Sequence, residues 1–116
     1  MLDEVNDMGK ADNGSLPTPE FIIMQVCKHY SIDLETLQSK QRRKVVVEAR
    51  RVAILLLRKM TTLSFQDIGK MFDRDHATIV NAFRKVETEL QKNTEFKNTI
   101  CNIVSRINNW GESNNV

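Results

Sequence analysis

The chain has 116 residues, enough for one small domain and leaving little room for a separate catalytic one. With 41% hydrophobic residues, only two Pro and four Gly, and segments rich in Leu, Ile, Val and Lys, it reads as all-helical. The net charge of +2 conceals an uneven split: residues 1–20 hold five acids (Asp3, Glu4, Asp7, Asp12, Glu20) against Lys10, a net of −4, so residues 21–116 carry +6 and point to a polyanionic partner.

Residues 1–17 are polar and acidic without a sustained period and read as a disordered tail. Thr18-Pro19-Glu20 is a helix start, with Thr as N-cap and Pro in the first turn. The helix it opens is predicted to run to about Tyr30 and to bury Ile22 or Ile23, Val26, Cys27 and Tyr30. Asp33 then caps a short turn, Leu34 to Leu37, whose leucines are expected to close over the core. From Lys40 to Arg51 six cations face only Glu48. A helix from about Val45 to Met60 follows, apolar around most of its girth and so the predicted centre of the fold.

Ser64 caps a further helix with Phe65, Ile68, Met71 and Phe72 at helical spacing, and a short polar turn, Phe72-Asp73-Arg74-Asp75, ends it. The next helix begins at about Asp75, carries Ile79, Phe83, Val86 and Leu90 on one face, and extends to about Gln91. Two helices across a tight turn outline a helix-turn-helix, whose second member can lie in the DNA major groove and read bases with its first residues. Those residues are Asp75, His76, Ala77 and Thr78, all away from the apolar stripe. Thr94 or Asn93 caps a last helix with Phe96, Ile100, Ile103, Val104 and Ile107, a stripe that needs the first helix or a second copy of the chain as partner. Trp110 ends it, before a polar tail from Gly111. The expected boundaries are 1–17 for the tail, 18–92 for the helix-turn-helix domain and 93–116 for the C-terminal helix with its polar end.

Residues Leu34 to Leu90 resemble the C-terminal DNA-binding domain of the bacterial replication initiator DnaA. The resemblance is carried by the SKQRRK loop at Ser39–Lys44, the opening Ala49-Arg50-Arg51-Val52-Ala53, the helix SFQDIGKMF and above all Arg74-Asp75-His76-Ala77-Thr78-Ile79-Val80. It implies an all-helical fold with the helix-turn-helix at its centre and double-stranded DNA as partner. Asp75, His76, Ala77 and Thr78 would face bases, Asp by accepting from the cytosine amino group, His by donating or accepting at purine edges, the Ala77 methyl by touching thymine, and Thr78 by touching a thymine methyl or else the phosphate. Lys40, Arg42, Arg43, Lys44, Arg50, Arg74, and Arg58 or Thr61 would hold phosphates, which position without reading sequence. Asn81 and Lys85, further along the same helix, join them. The chain departs from the family pattern at three places. One residue, Asp73, stands where the family has two before Arg-Asp-His; Glu48 occupies the position of a minor-groove arginine; and Ala77 replaces the first Thr.

The blander readings of these residues are a solvated basic loop, a His76 tucked into the core, and an Asp75 that only caps its helix. Cys27 and Cys101 fit no metal or redox spacing and read as reduced thiols in or beside the core, a long-range disulfide being the alternative. His29 and His76 stand in unrelated segments with no catalytic or metal-binding pattern, and no phosphate-binding Gly-x-x-x-x-Gly-Lys-Ser/Thr loop occurs, so neither enzyme activity nor a cofactor is expected. The longest apolar run, Val52–Leu57, is too short to cross a membrane, and the first residues lack the basic-then-apolar pattern of a signal sequence, so no leader is expected. The expectation is a stand-alone, cytoplasmic, nucleoid-associated DNA-binding module, accessory or regulatory in replication or transcription. It would be a monomer by preference, with a dimer through the last helix and contact with replication or transcription proteins as further options. The rival is a protein-interaction adaptor that kept the fold, lost the DNA and docks through that last helix.

Overall fold

The computed structural model describes residues 17–114, and their side chains as far as Asn109. These residues form six α-helices: α1 (Pro19–Tyr30), α2 (Leu34–Gln38), α3 (Lys44–Met60), α4 (Phe65–Phe72), α5 (His76–Lys92) and α6 (Thr94–Asn114). Each boundary has a local chemical cause. Thr18, Asp33 and Asp75 each accept the backbone N–H three residues on through a side-chain oxygen. Ser64 and Asp67 form a reciprocal capping box, with both N–H···O distances 3.1 Å. Asn93 caps α6 by accepting from the Phe96 N–H at 3.1 Å.

α3 is the core helix, as expected, with Val52 through Leu57 and Met60 all buried. It packs against α1, α2, α4 and α5, and α6 closes the bundle across α1 and α5. Burying each such aliphatic side chain contributes about 1.5–3 kcal/mol before entropy is counted. Both Ile22 and Ile23 are buried, with Val26 and Cys27. Tyr30 is only half-buried, because its hydroxyl reaches outward to the Glu48 carboxylate. Of the two α2 leucines only Leu37 closes over the core; Leu34, in the first turn, is 49% exposed. Phe96, Ile100, Ile103, Val104 and Ile107 all join the central hydrophobic cluster, so of the partners expected for this stripe it is this chain's own helices, α1 among them, that it faces. The α6 backbone stays helical to Asn114, past the expected polar break at Gly111. The expected tail lies outside the described residues up to residue 16, while Pro17, at its end, is buried. Trp110 falls beyond the described side chains. The Cys27 and Cys101 thiols are free, the first buried and the second half-buried. No helix among the described residues is long and apolar enough to cross a membrane.

The turn between α4 and α5 is three residues long and depends on one glycine. Asp73 adopts the left-handed conformation (φ 54°, ψ 50°), a region open to Asp because its short side chain tolerates it. The Arg74 N–H then reaches the Gly69 carbonyl at 2.8 Å and the Asp73 N–H the Lys70 carbonyl at 3.4 Å, the paired bonds of a Schellman ending. This folds the Arg74 carbonyl back over α4: a Cβ on Gly69 would lie 2.6 Å from that oxygen. Gly69→Ala is therefore expected to push the turn away and cost about 1–3 kcal/mol, read as a lower midpoint in urea unfolding. An unchanged midpoint would mean that the turn moves freely.

Three of the caps also set an acid limit. Backbone hydrogen bonds hold the Asp33 and Asp67 carboxyls below the usual carboxylate range, and side-chain and backbone bonds from Thr78 do the same for Asp75. A depressed folded-state pKa contributes stability above the unfolded value of about 3.9, lost as pH falls through the folded values. The melting temperature should decline below about pH 4, and Asn at all three positions, which caps without titrating, should flatten that decline.

Candidate nucleic-acid interface

Asp75 starts α5 by accepting from the Thr78 N–H at 2.8 Å. His76, Ala77 and Thr78 then stand exposed on the first turn. His76 is not in the core; its ring meets the Phe65 ring edge-to-face at 6.1 Å. Helical spacing carries the outward face of α5 on from Ala77 through Asn81 to Arg84, all exposed.

The basic loop is docked directly on the helix-turn-helix turn. α4 ends with carbonyls that lack helical partners, and three side chains take them: Gln38 donates to Met71 O at 2.8 Å, Lys40 to Asp73 O at 3.3 Å, and Arg74 to Phe72 O. Arg74 donates its other terminal nitrogen to Ser39 O at 2.8 Å. Arg50, from α3, reaches the same oxygen at 2.7 Å and also Leu37 O at 3.0 Å and Gln41 O at 3.2 Å. Burial, then the nearby Arg74 charge, pulls the Arg50 pKa down. Arg50 and Arg74, expected at phosphates, thus turn three and two hydrogen bonds respectively to holding the loop and the turn together. Lys40 shares in this while staying exposed.

The remaining cations are arranged differently. Arg42, Arg43 and Lys44 are exposed and their side chains have, among the described residues, no hydrogen bond or ion pair. They crowd the N-terminal end of α3, which has no acid in its first turn and no side-chain cap. The helix dipole places partial positive charge there, so the crowding is unfavourable unless an anion arrives. Between this end of α3 and α5 runs a groove lined by Val47, Arg50, Arg51, Arg74, Thr78, Asn81 and Lys85. It continues into depressions bordered by Arg42 and Lys44, where Arg51 and Lys85 recur. Arg51 and Arg84 are the cations that sequence reasoning left out. The i, i+4, i+7 spacing of Ala77, Asn81 and Arg84 was the available signal for the second; Arg51 carried none beyond its charge.

On the other side of α5, Arg58 lies over the Phe65 ring at 4.9 Å from its centroid and donates to Leu63 O at 3.4 Å. Arg58 and the basic loop therefore flank the first turn of α5 from opposite ends of α3. Thr61 is occupied locally, donating to Leu57 O and accepting from the Leu63 N–H at 3.1 Å. Lys59 pairs with Glu87 at 3.3 Å and fixes α5 against the end of α3. No cluster of three or more His, Cys, Asp or Glu able to hold a metal occurs among the described residues.

A capped pair of helices across a three-residue turn, backed by a basic groove, defines a helix-turn-helix domain. The chain belongs to the bacterial DnaA helix-turn-helix family, whose model matches residues 19–86. Relatives include the chromosomal replication initiator protein DnaA of Lachnoclostridium phytofermentans, 35% identical over 90% of this chain and 23% of its own length. That of Oleidesulfovibrio alaskensis is 38% identical over 78% of this chain and 20% of its own length. That of Geotalea daltonii is 36% identical over 72% and 19% respectively. The chain thus spans about a fifth of the length of these curated relatives.

The Arg74 bridge is open to direct test. Arg74→Met keeps the apolar stem but leaves Phe72 O without a charged donor and Ser39 O with Arg50 alone, at an expected cost of about 1–3 kcal/mol. Hydrogen exchange should quicken first at residues 39–43 and 72–75. Protection unchanged there would mean that Arg50 alone holds the loop.

Proposed function

We propose that this chain is a sequence-selective, double-stranded DNA-binding module without ATPase activity, accessory or regulatory in replication initiation or transcription. The observation that carries the reading is a juxtaposition. Arg42, Lys44, Arg51 and Lys85, whose side chains have no intramolecular partner among the described residues, line one continuous groove beside the exposed first turn of α5, with Arg43 exposed between Arg42 and Lys44. Membership of the DnaA helix-turn-helix family supports DNA as the polyanion.

In this reading α5 enters the major groove. Asp75, His76, Ala77 and Thr78 face base edges, while Asn81 and Arg84 continue along the groove wall. The basic loop takes phosphates on one flank and Arg58 on the other, setting register without reading sequence. Arg50, Arg74 and Lys40 act mainly by holding the loop in place. Asp75 keeps one carboxylate oxygen free of its capping bond, so capping and reading are compatible. The apolar α6 stripe that the adaptor alternative required is spent in the core.

If about five phosphates are neutralised, log affinity should fall against log salt with a slope of about −4 to −5. A fluorescence-anisotropy titration with random-site duplexes at several salt concentrations measures it, and sequencing of the bound fraction tests selectivity. Arg42→Glu with Arg43→Glu should make the slope shallower by about 2 without lowering the melting temperature, since neither side chain has a partner in the fold and acids suit a helix N-terminus. A wild-type slope near zero would refute DNA binding.

A further inference from the structure

Glu48 lies on α3 one turn after Lys44 and just under one turn before Arg51, spacings at which carboxylate and cation meet on a helix surface. It borders the same depression as Arg42, Lys44, Arg51 and Lys85. Even so, it forms no ion pair with any of them; the ion pair found among the described residues is Lys59–Glu87. Its carboxylate accepts instead from the Tyr30 hydroxyl, 2.6 Å from Oε2. That phenol arrives from the last turn of α1, where packing of α1 on α3 fixes its reach. Burial, the hydrogen bond to Glu48 and the Glu48 charge raise the Tyr30 pKa far above its ordinary value, so it remains a donor. An O–H···O⁻ bond from a held phenol is charge-assisted and short, whereas an exposed helical ion pair is weak and entropically costly.

We propose that Tyr30 is a positioning residue for the basic groove: by holding Glu48 from the α1 side, its hydroxyl keeps that carboxylate off Lys44 and Arg51 and leaves both cations free for the phosphates of a duplex. The proposal rests on the DNA-binding reading above. An arginine already paired with Glu48 must break that pair before it takes a phosphate, and the pair cancels a charge that would otherwise release a counterion. Tyr30 itself need not touch the nucleic acid.

The test uses the full chain as Tyr30→Phe, Glu48→Gln and the double variant, each titrated with a duplex recovered by selection across a range of salt. Tyr30→Phe should bind several-fold more weakly, with a log–log salt slope shallower by about 1, one phosphate contact. Glu48→Gln should bind at least as tightly as the wild type, and the double variant should return to the Glu48→Gln value. A double variant as weak as Tyr30→Phe would overturn the proposal, because the loss would not pass through the carboxylate. Wild-type affinity and slope in Tyr30→Phe would overturn it too. NMR of the Arg51 Nε and Lys44 Nζ groups in DNA-free protein separates the two readings. Signals that shift in Tyr30→Phe and revert in the double variant support the rerouting even if no duplex binds, in which case the DNA-binding reading fails alone. Unshifted signals overturn the proposal whatever the duplex does.

Discussion

Two arginines from different helices share one backbone oxygen, and the geometry of the basic face depends on that meeting. Ser39 O accepts from Arg50 of α3 and from Arg74 of the turn. Bringing two like charges together is unfavourable in itself. It persists because three further carbonyls, those of Leu37, Gln41 and Phe72, join the shared Ser39 oxygen in surrounding them with negative dipole ends. The result is a junction at which α2, the basic loop, α3 and the helix-turn-helix turn cannot move independently. A loop of this composition would otherwise splay under its own repulsion.

The architecture was largely legible in the sequence because it rests on local chemistry. Thr18, Asp33, Ser64 and Asp75 act as N-caps, and the apolar spacing of α3, α5 and α6 matches the buried faces. Local rules gave less where tertiary geometry decides. Leu34 looks like a core residue, yet it occupies the solvent side of a helix of only five residues. Tyr30 has the size for the core but ends at a carboxylate eighteen positions away. The candidate site divides in the same way. Exposure of His76, Ala77 and Thr78 follows from helical phase, whereas the split between Arg50 and Arg74 as braces and Arg42, Arg43 and Arg51 as free cations does not. Six cations in one short stretch carry equal formal charge, and only the carbonyls around them distinguish their work.

The N-terminal end of α3 shows a local rule broken for a reason. Helix starts favour acids and capping side chains; here Arg43 stands at the cap position without a side-chain bond, and the first turn holds no acid. Elsewhere the chain caps its helices with care, so the exception marks a place where folding stability is given up. The buried α3 stripe behind it supplies the compensation, since the helix is held by packing rather than by its own end.

The docking of the basic loop has one more property: almost every bond in it ends on a main-chain carbonyl. Met71, Phe72, Asp73, Ser39, Leu37 and Gln41 contribute oxygens that any residue would supply. The side chains of Gln41, Arg42, Arg43 and Lys44 take no part in holding the loop. Mutation can therefore redistribute charge along it, or remove it, without disturbing how it sits on the turn. The fold separates the scaffold that presents the basic face from the residues displayed on it, and lineages carrying this domain can drift in the charge they display while keeping the same platform.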